Sequence, residues 1–86
     1  MKKYEYCIGV DVAKNTLDYC IMHQAQPLYS GNIQNNLEGF AKLKKSLQAH
    51  RVLLDKALFC LENTGVYSSS LLSWLGENNH TVWVET

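Results

Sequence analysis

The chain has 86 residues, 47% hydrophobic and 19% charged, with a single proline, which admits one small folded domain and no more. Eight basic and eight acidic residues cancel, so no global field draws the chain to nucleic acid or to a membrane. No apolar run reaches membrane-spanning length and the N-terminus lacks a signal-peptide core, so a cytoplasmic protein with no membrane partner is expected.

The first strand reads from Tyr4 to Val12. Tyr4, Tyr6, Ile8, Val10 and Val12 share one face, while Cys7, Gly9 and Asp11 share the other. A turn near Asn15 leads to a second strand, Thr16 to Met22, and Pro27 precedes a third, Leu28 to Ile33. The short spacers predict antiparallel hairpins. Asn35 followed three residues later by Glu38 has the capping-box pattern, with Asn35 as N-cap. A helix is expected from about Asn36 to His50, with Leu37, Phe40, Leu43, Leu47 and Leu54 on its apolar stripe. Ala57 to Glu62 is a continuous apolar run suited to a sheet centre. Asn63-Thr64-Gly65 turns the chain, with Thr64 as cap of a second helix outlined by Tyr67, Leu71, Leu72, Trp74, Leu75 and Asn78. Asn78 and Asn79 end it, and Thr81 to Glu85 is a fifth strand.

This βββαβαβ order predicts an α/β fold, the front portion of an RNase H-like (RuvC-like) mixed sheet that stops after its fifth strand. Residues 1–86 are therefore expected to be a fragment of a longer protein. Cys7, Cys20 and Cys60 lie in apolar runs without metal-ligand spacing and are expected to be reduced core thiols. His23, His50 and His80 are expected at the surface or in loops, and Trp74 and Trp83 in packing rather than base stacking.

Asp11 and Glu62 are the candidate chemistry. A carboxylate within a sheet-forming stretch is costly to desolvate unless its charge is offset. In such a sheet the first and fourth strands are neighbours, which would bring these acids together. Paired carboxylates can hold magnesium or manganese, which would activate a nucleophile and stabilise the leaving oxygen of a phosphodiester. Lys14 and Thr16 would meet a backbone phosphate beside Asp11, and Asn63 and Thr64 would add hydrogen bonds beside Glu62. Asp11 equally fits a turn acid, and Glu62 the polar end of a buried strand. Asp18 fits the solvent face of a hairpin strand. Lys42, Lys44 and Lys45 fit either a solvated helix face or a DNA contact.

Ile8-Gly-Val-Asp-Val-Ala-Lys-Asn-Thr-Leu-Asp18 resembles the opening motif of the DEDD transposases of the insertion-sequence 110 family. Leu61-Glu-Asn-Thr-Gly-Val-Tyr67 with Leu71-Leu-Ser-Trp-Leu75 resembles the second motif, and Asn35 to Leu43 the helix between them. Pilin-gene inverting recombinases share this front domain. The resemblance implies a DNA transposase or recombinase with a four-acid, metal-dependent catalytic set. Asp11 matches the first acid and Glu62 the second, while Asp55 and Glu85 match neither remaining one. It also implies DNA as partner, an element-encoded guide RNA, a homo-oligomeric full-length protein and a bacterial, DNA-associated setting. A fragment with half the set is expected to bind metal weakly and to be inactive.

Two other classes compete. Sugar-kinase and actin-like ATPase domains open with a similar acid-bearing hairpin, but they use a glycine-containing phosphate turn where this chain has Ala13-Lys-Asn-Thr16. A non-catalytic module for DNA binding or self-association would use the basic helix and the uncovered last strand.

Overall fold

A computed structural model describes residues 4–62 and 65–85. Five strands form one sheet: β1 (Tyr6–Val12), β2 (Thr16–His23), β3 (Gln26–Gln34), β4 (Ala57–Glu62) and β5 (Thr81–Glu85). Two helices, α1 (Leu37–Ala49) and α2 (Ser69–Glu77), lie in the connections before β4 and β5. The spatial order is β3-β2-β1-β4-β5. The first two hairpin pairings are antiparallel, and β1–β4 and β4–β5 are parallel. Parallel neighbours need a crossover, and each helix provides one. This is the βββαβαβ order of an RNase H-like mixed sheet, as the element pattern predicted.

Alternation in the strands divides the sheet into two unlike faces. Ile8, Val10 and Val12 of β1, Leu17, Tyr19 and Ile21 of β2, and Ala57, Phe59 and Leu61 of β4 are buried. They pack against Phe40, Leu43 and Leu47 of α1 and Leu71 and Leu75 of α2. Both helices therefore cover one face, and the other face carries Gly9, Asp11, Asp18, Cys20, Cys60, Glu62, Trp83 and Glu85. Trp83, expected in core or fragment-edge packing, lies on the edge strand β5 and is 62% exposed.

Several boundaries differ from expectation. Tyr4 lies outside β1, which begins at Tyr6. The β2–β3 hairpin is tighter than the sequence suggested, because Gln24 and Ala25 make a two-residue turn with positive φ at both positions (51° and 67°). That is the backbone a short hairpin requires, reached here without glycine or asparagine. Pro27 lies within β3, opposite Met22 at a register shift on an edge strand, a place where its missing N–H costs no ladder bond.

The helix cap is Asn36 rather than Asn35. The Gly39 amide donates to Asn36 Oδ1 at 2.9 Å, one position later than the capping-box reading placed it. A side chain on Gly39 would run into the Gln34 carbonyl, so α1 can start this close to β3 only with glycine there. The helix ends at His50, and Arg51 follows in the left-handed region (φ 59°). Leu54 therefore sits in a 3-10 turn, Leu54–Lys56, and Leu37 is exposed, so neither belongs to the buried stripe. Tyr67 lies in a 3-10 turn, Gly65–Ser68, ahead of α2. Thr64, read as the cap of α2, lies outside the described residues.

His80 lies in the loop between α2 and β5, as expected, but it is half-buried rather than exposed. Its ring packs edge-on to Phe59 (centroids 4.9 Å apart) and stacks on Trp74 at 5.8 Å. Its Nδ1 is buried without a partner among the described residues. Desolvation, with Lys44 as a lesser cause, holds its pKa below the usual 6.5. A lowered folded-state value means that, between the two values, the unfolded chain takes up a proton that the folded chain refuses. Stability measured by chemical denaturation is expected to be full above about pH 6.5. It should fall as the pH drops through that window and level off below the folded-state value. His80→Gln should flatten this part of the profile, and an unchanged slope would contradict the assignment.

Candidate functional site

The register of the five strands sets one row of polar side chains across the open face. Asp18 pairs with Asn32, Asp11 with Asp18, and Glu62 with Glu85. The β1–β4 ladder runs to Val10↔Leu61, so the next rung sets Asp11 beside Glu62. Adjacent strands lie about 4.8 Å apart, so the two acids stand on neighbouring strands, on one face, at one level. The row thus reads Asn32, Asp18, Asp11, Glu62, Glu85.

All four carboxylates are exposed, so the desolvation cost expected for Asp11 does not arise. The cost is instead mutual repulsion, since like charges directly opposite on a sheet destabilise it. Asn32 Nδ2 donates to Asp18 Oδ1 at 2.8 Å and so quiets one end of the row. Among the described residues no lysine or arginine forms an ion pair with Asp11 or Glu62. The described contact between a basic side chain and a carboxylate, His23 Nε2 with Glu5 Oε1 at 3.9 Å, is elsewhere. Asp11, Asp18, Glu62 and Glu85 line a shallow groove of about 730 Å³, with Gly9, Cys60 and Trp83 beside them. Gly9 has nothing within 4 Å of where a Cβ would stand, which keeps the approach to the row clear.

The other candidate residues divide. Thr16 belongs to the same face of β2 as Asp18, and Lys14 is exposed in the β1–β2 turn. Asn63 and Thr64 lie outside the described residues. Lys42, Lys44 and Lys45 are exposed on α1, which packs on the opposite face of the sheet, so the structure does not bring them to the acids. In the turn that would serve as a phosphate cradle in an ATPase, the Ala13 amide already donates to the Thr16 carbonyl at 2.9 Å.

Hard carboxylate oxygens suit magnesium or manganese, and Asp11 with Glu62 is a donor set of that kind. Among the described residues no group of three or more His, Cys, Asp or Glu side chains converges closely enough to hold an ion. The pair can therefore supply part of a coordination shell and not all of it.

Asn35, expected as a helix cap, instead ties the segments after the two acid-bearing strands together. Its Nδ2 donates to the Ala13 carbonyl at 3.0 Å, two residues after Asp11, and to the Tyr67 carbonyl at 2.9 Å, five residues after Glu62. Its backbone amide donates to the Asn15 carbonyl at 2.9 Å. Two adjacent asparagines thus divide the work, one capping α1 and the other bracing the site.

Residues 8–86 match the family described as a transposase, the insertion-sequence 110 DEDD group. The chain belongs to that family. Among curated proteins it is similar to the pilin gene-inverting proteins of Moraxella lacunata and Moraxella bovis, at 36% identity over 76 residues in each case. The matched part is 87% of this chain and 23% of each relative, so the chain spans about a quarter of the length of these curated relatives. Among the described residues no helix is long and apolar enough to cross a membrane.

Replacing Asn35 by Ala leaves two loop carbonyls without their donor. A loss of about 1–2 kcal/mol is expected by chemical denaturation, with faster amide exchange at 13–16 and 65–68. Unchanged exchange at both loops would show that the brace does not hold them.

Proposed function

We propose that this chain is the N-terminal part of the catalytic domain of a DNA transposase or recombinase that cleaves and joins DNA strands. The observation that carries the reading is the β1–β4 register, which ends at Val10↔Leu61 and so leaves Asp11 and Glu62 at the next rung on one face, in a chain of the transposase family. In this reading the two acids are half of a four-acid set, and the other two come from sequence outside these 86 residues. A divalent cation, magnesium or manganese, would supply the activation of the attacking oxygen and the stabilisation of the leaving one.

The chain's own groups do the rest. Asp11 and Glu62 present hard oxygens side by side on a rigid sheet, so their spacing does not depend on a mobile loop. Asn35 braces the loops that follow them. Lys14 and Thr16 stand near the row and offer hydrogen bonds to a phosphate without neutralising the acids. Lys42, Lys44 and Lys45 lie across the sheet, so a duplex seated on the acid row does not reach them. If they bind nucleic acid, it is a second segment or the guide RNA of the family. The 86 residues alone are expected to be inactive, with weak cation binding, and the full-length protein is expected to act as a homo-oligomer.

The test uses the full-length protein on DNA carrying its recombination sites. Asp11→Asn and Glu62→Gln should each reduce strand cleavage and joining by at least about 100-fold, comparable to removing one group that stabilises transition-state charge. Because each change relieves like-charge repulsion, neither should lower thermal stability in metal-free buffer, and a small rise is expected. Wild-type recombination in either variant would refute the assignment. A loss of activity accompanied by unfolding would mark these acids as structural.

A further inference from the structure

Beside the acid row lies a pair of thiols that the proposed chemistry does not use. Cys7 Sγ and Cys60 Sγ are 3.1 Å apart across the β1–β4 junction, although 53 residues separate them in the chain. Cys7 is opposite Leu58 and Cys60 opposite Gly9, so the two meet on a diagonal of the ladder. A disulfide bond is about 2.05 Å long, so closing the gap requires the sulfurs to move by roughly an ångström.

The third thiol is engaged elsewhere. Cys20 Sγ points toward Met22 Sδ at 3.7 Å, and Gly9 of β1 stands between Cys20 and Cys60 in the register. The three cysteines were expected in the core, yet all are half-buried on the uncovered face. Cys60 lines the groove above Gly9, where no side chain blocks entry. A small oxidant therefore reaches Cys60 through the groove without unfolding the sheet, and half-buried Cys7 stands 3.1 Å from it.

We propose that Cys7 and Cys60 are a modification site: a low-molecular-weight disulfide converts them to a reversible disulfide that staples β1 to β4. The thiolate of Cys7 attacks one sulfur of the oxidant RSSR, and RS⁻ leaves, giving a mixed disulfide on Cys7. The thiolate of Cys60 then attacks the Cys7 sulfur, and the second RS⁻ leaves. The two thiol protons end on two RSH molecules, so two electrons pass from the cysteine pair to the oxidant.

Cys7 Sγ and Cys60 Sγ are within 3.1 Å of each other, so once one carries the small thiol the other is already placed to close the bond, and in each step the thiolate is the nucleophile. The product joins the strands that carry Asp11 and Glu62, two residues before the latter. It stands independently of the role given to those acids.

The test treats the reduced, folded full chain with oxidised glutathione, then maps disulfides by mass spectrometry without reductant. The expected product is an intrachain Cys7–Cys60 link, with a mass lower by two hydrogens and a free Cys20. Thermal unfolding should shift upward by several degrees and return when reductant is added. Cys20→Ser should behave like the unsubstituted chain, and Cys7→Ser should form no internal link. The same oxidation in denaturant should scramble the pairing, showing that the fold selects it. A link through Cys20, a covalent dimer, a stable glutathione adduct on either cysteine, or three free thiols in the folded chain would overturn the proposal. The map on the unsubstituted chain decides even if a variant fails to fold.

Discussion

The parallel pairing of β1 with β4 is the constraint on which the rest of the molecule depends. It joins strands about fifty residues apart, and its register, Ile8↔Phe59 and Val10↔Leu61, buries both sets of apolar side chains under the helices. Because side chains alternate, that register also fixes where Asp11 and Glu62 go. A slip of one residue would turn one strand's apolar set outward and drive its acid toward the core. Core packing therefore enforces the juxtaposition of the acids, and the site needs no local interaction between them. This explains how a row of like charges persists without a counter-charge among the described residues. The apolar contacts of the covered face outweigh the repulsion on the open one.

Much of this was legible because strands of this kind carry their faces in their sequence. Strict alternation in β1 put Asp11 opposite Ile8 and Val10, and the apolar run of β4 gave its limits without error. The limits of β5 were equally plain. What escaped was information that no single segment contains. Asp18 and Glu85 join the acid row only through pairing, and neither has a local signal that sets it apart from an ordinary solvent-face acid. A closer reading of the short turn after Val12 would have set Val12 against Leu17, and hence Asp11 against Asp18. The Gln24–Ala25 turn lacks the residues that usually mark such turns. With two adjacent asparagines, residue type could not say which one caps the helix. The choice was decided by Gln34, whose backbone leaves room only for a glycine at the third helical position.

A net charge of zero conceals a polarised molecule. The open face carries Asp11, Asp18, Glu62 and Glu85, while the exposed side of α1 carries Lys42, Lys44 and Lys45. The two sets are separated by the sheet and its core, and they are screened from one another by solvent at physiological salt. The acids are therefore not held in place by lysines, and removing one set should leave the geometry of the other intact. Among the described residues Asp11 and Glu62 have no basic partner, and paired carboxylates of that kind are a surface that a cation can satisfy. The mixed character of the sequence, neutral in sum and patterned in space, follows from that arrangement.

The central claim is that Asp11 and Glu62 form one cation-facing surface. Paramagnetic Mn²⁺ titrated into the isotopically labelled chain, followed by amide NMR, tests it directly. Selective broadening should centre on residues 10–12 and 61–62 together, spreading along the row to Asp18 and Glu85, and Asp11→Asn should weaken it at β4 as well as at β1. Broadening confined to one strand, or centred on the histidines or another part of the surface, would contradict the account.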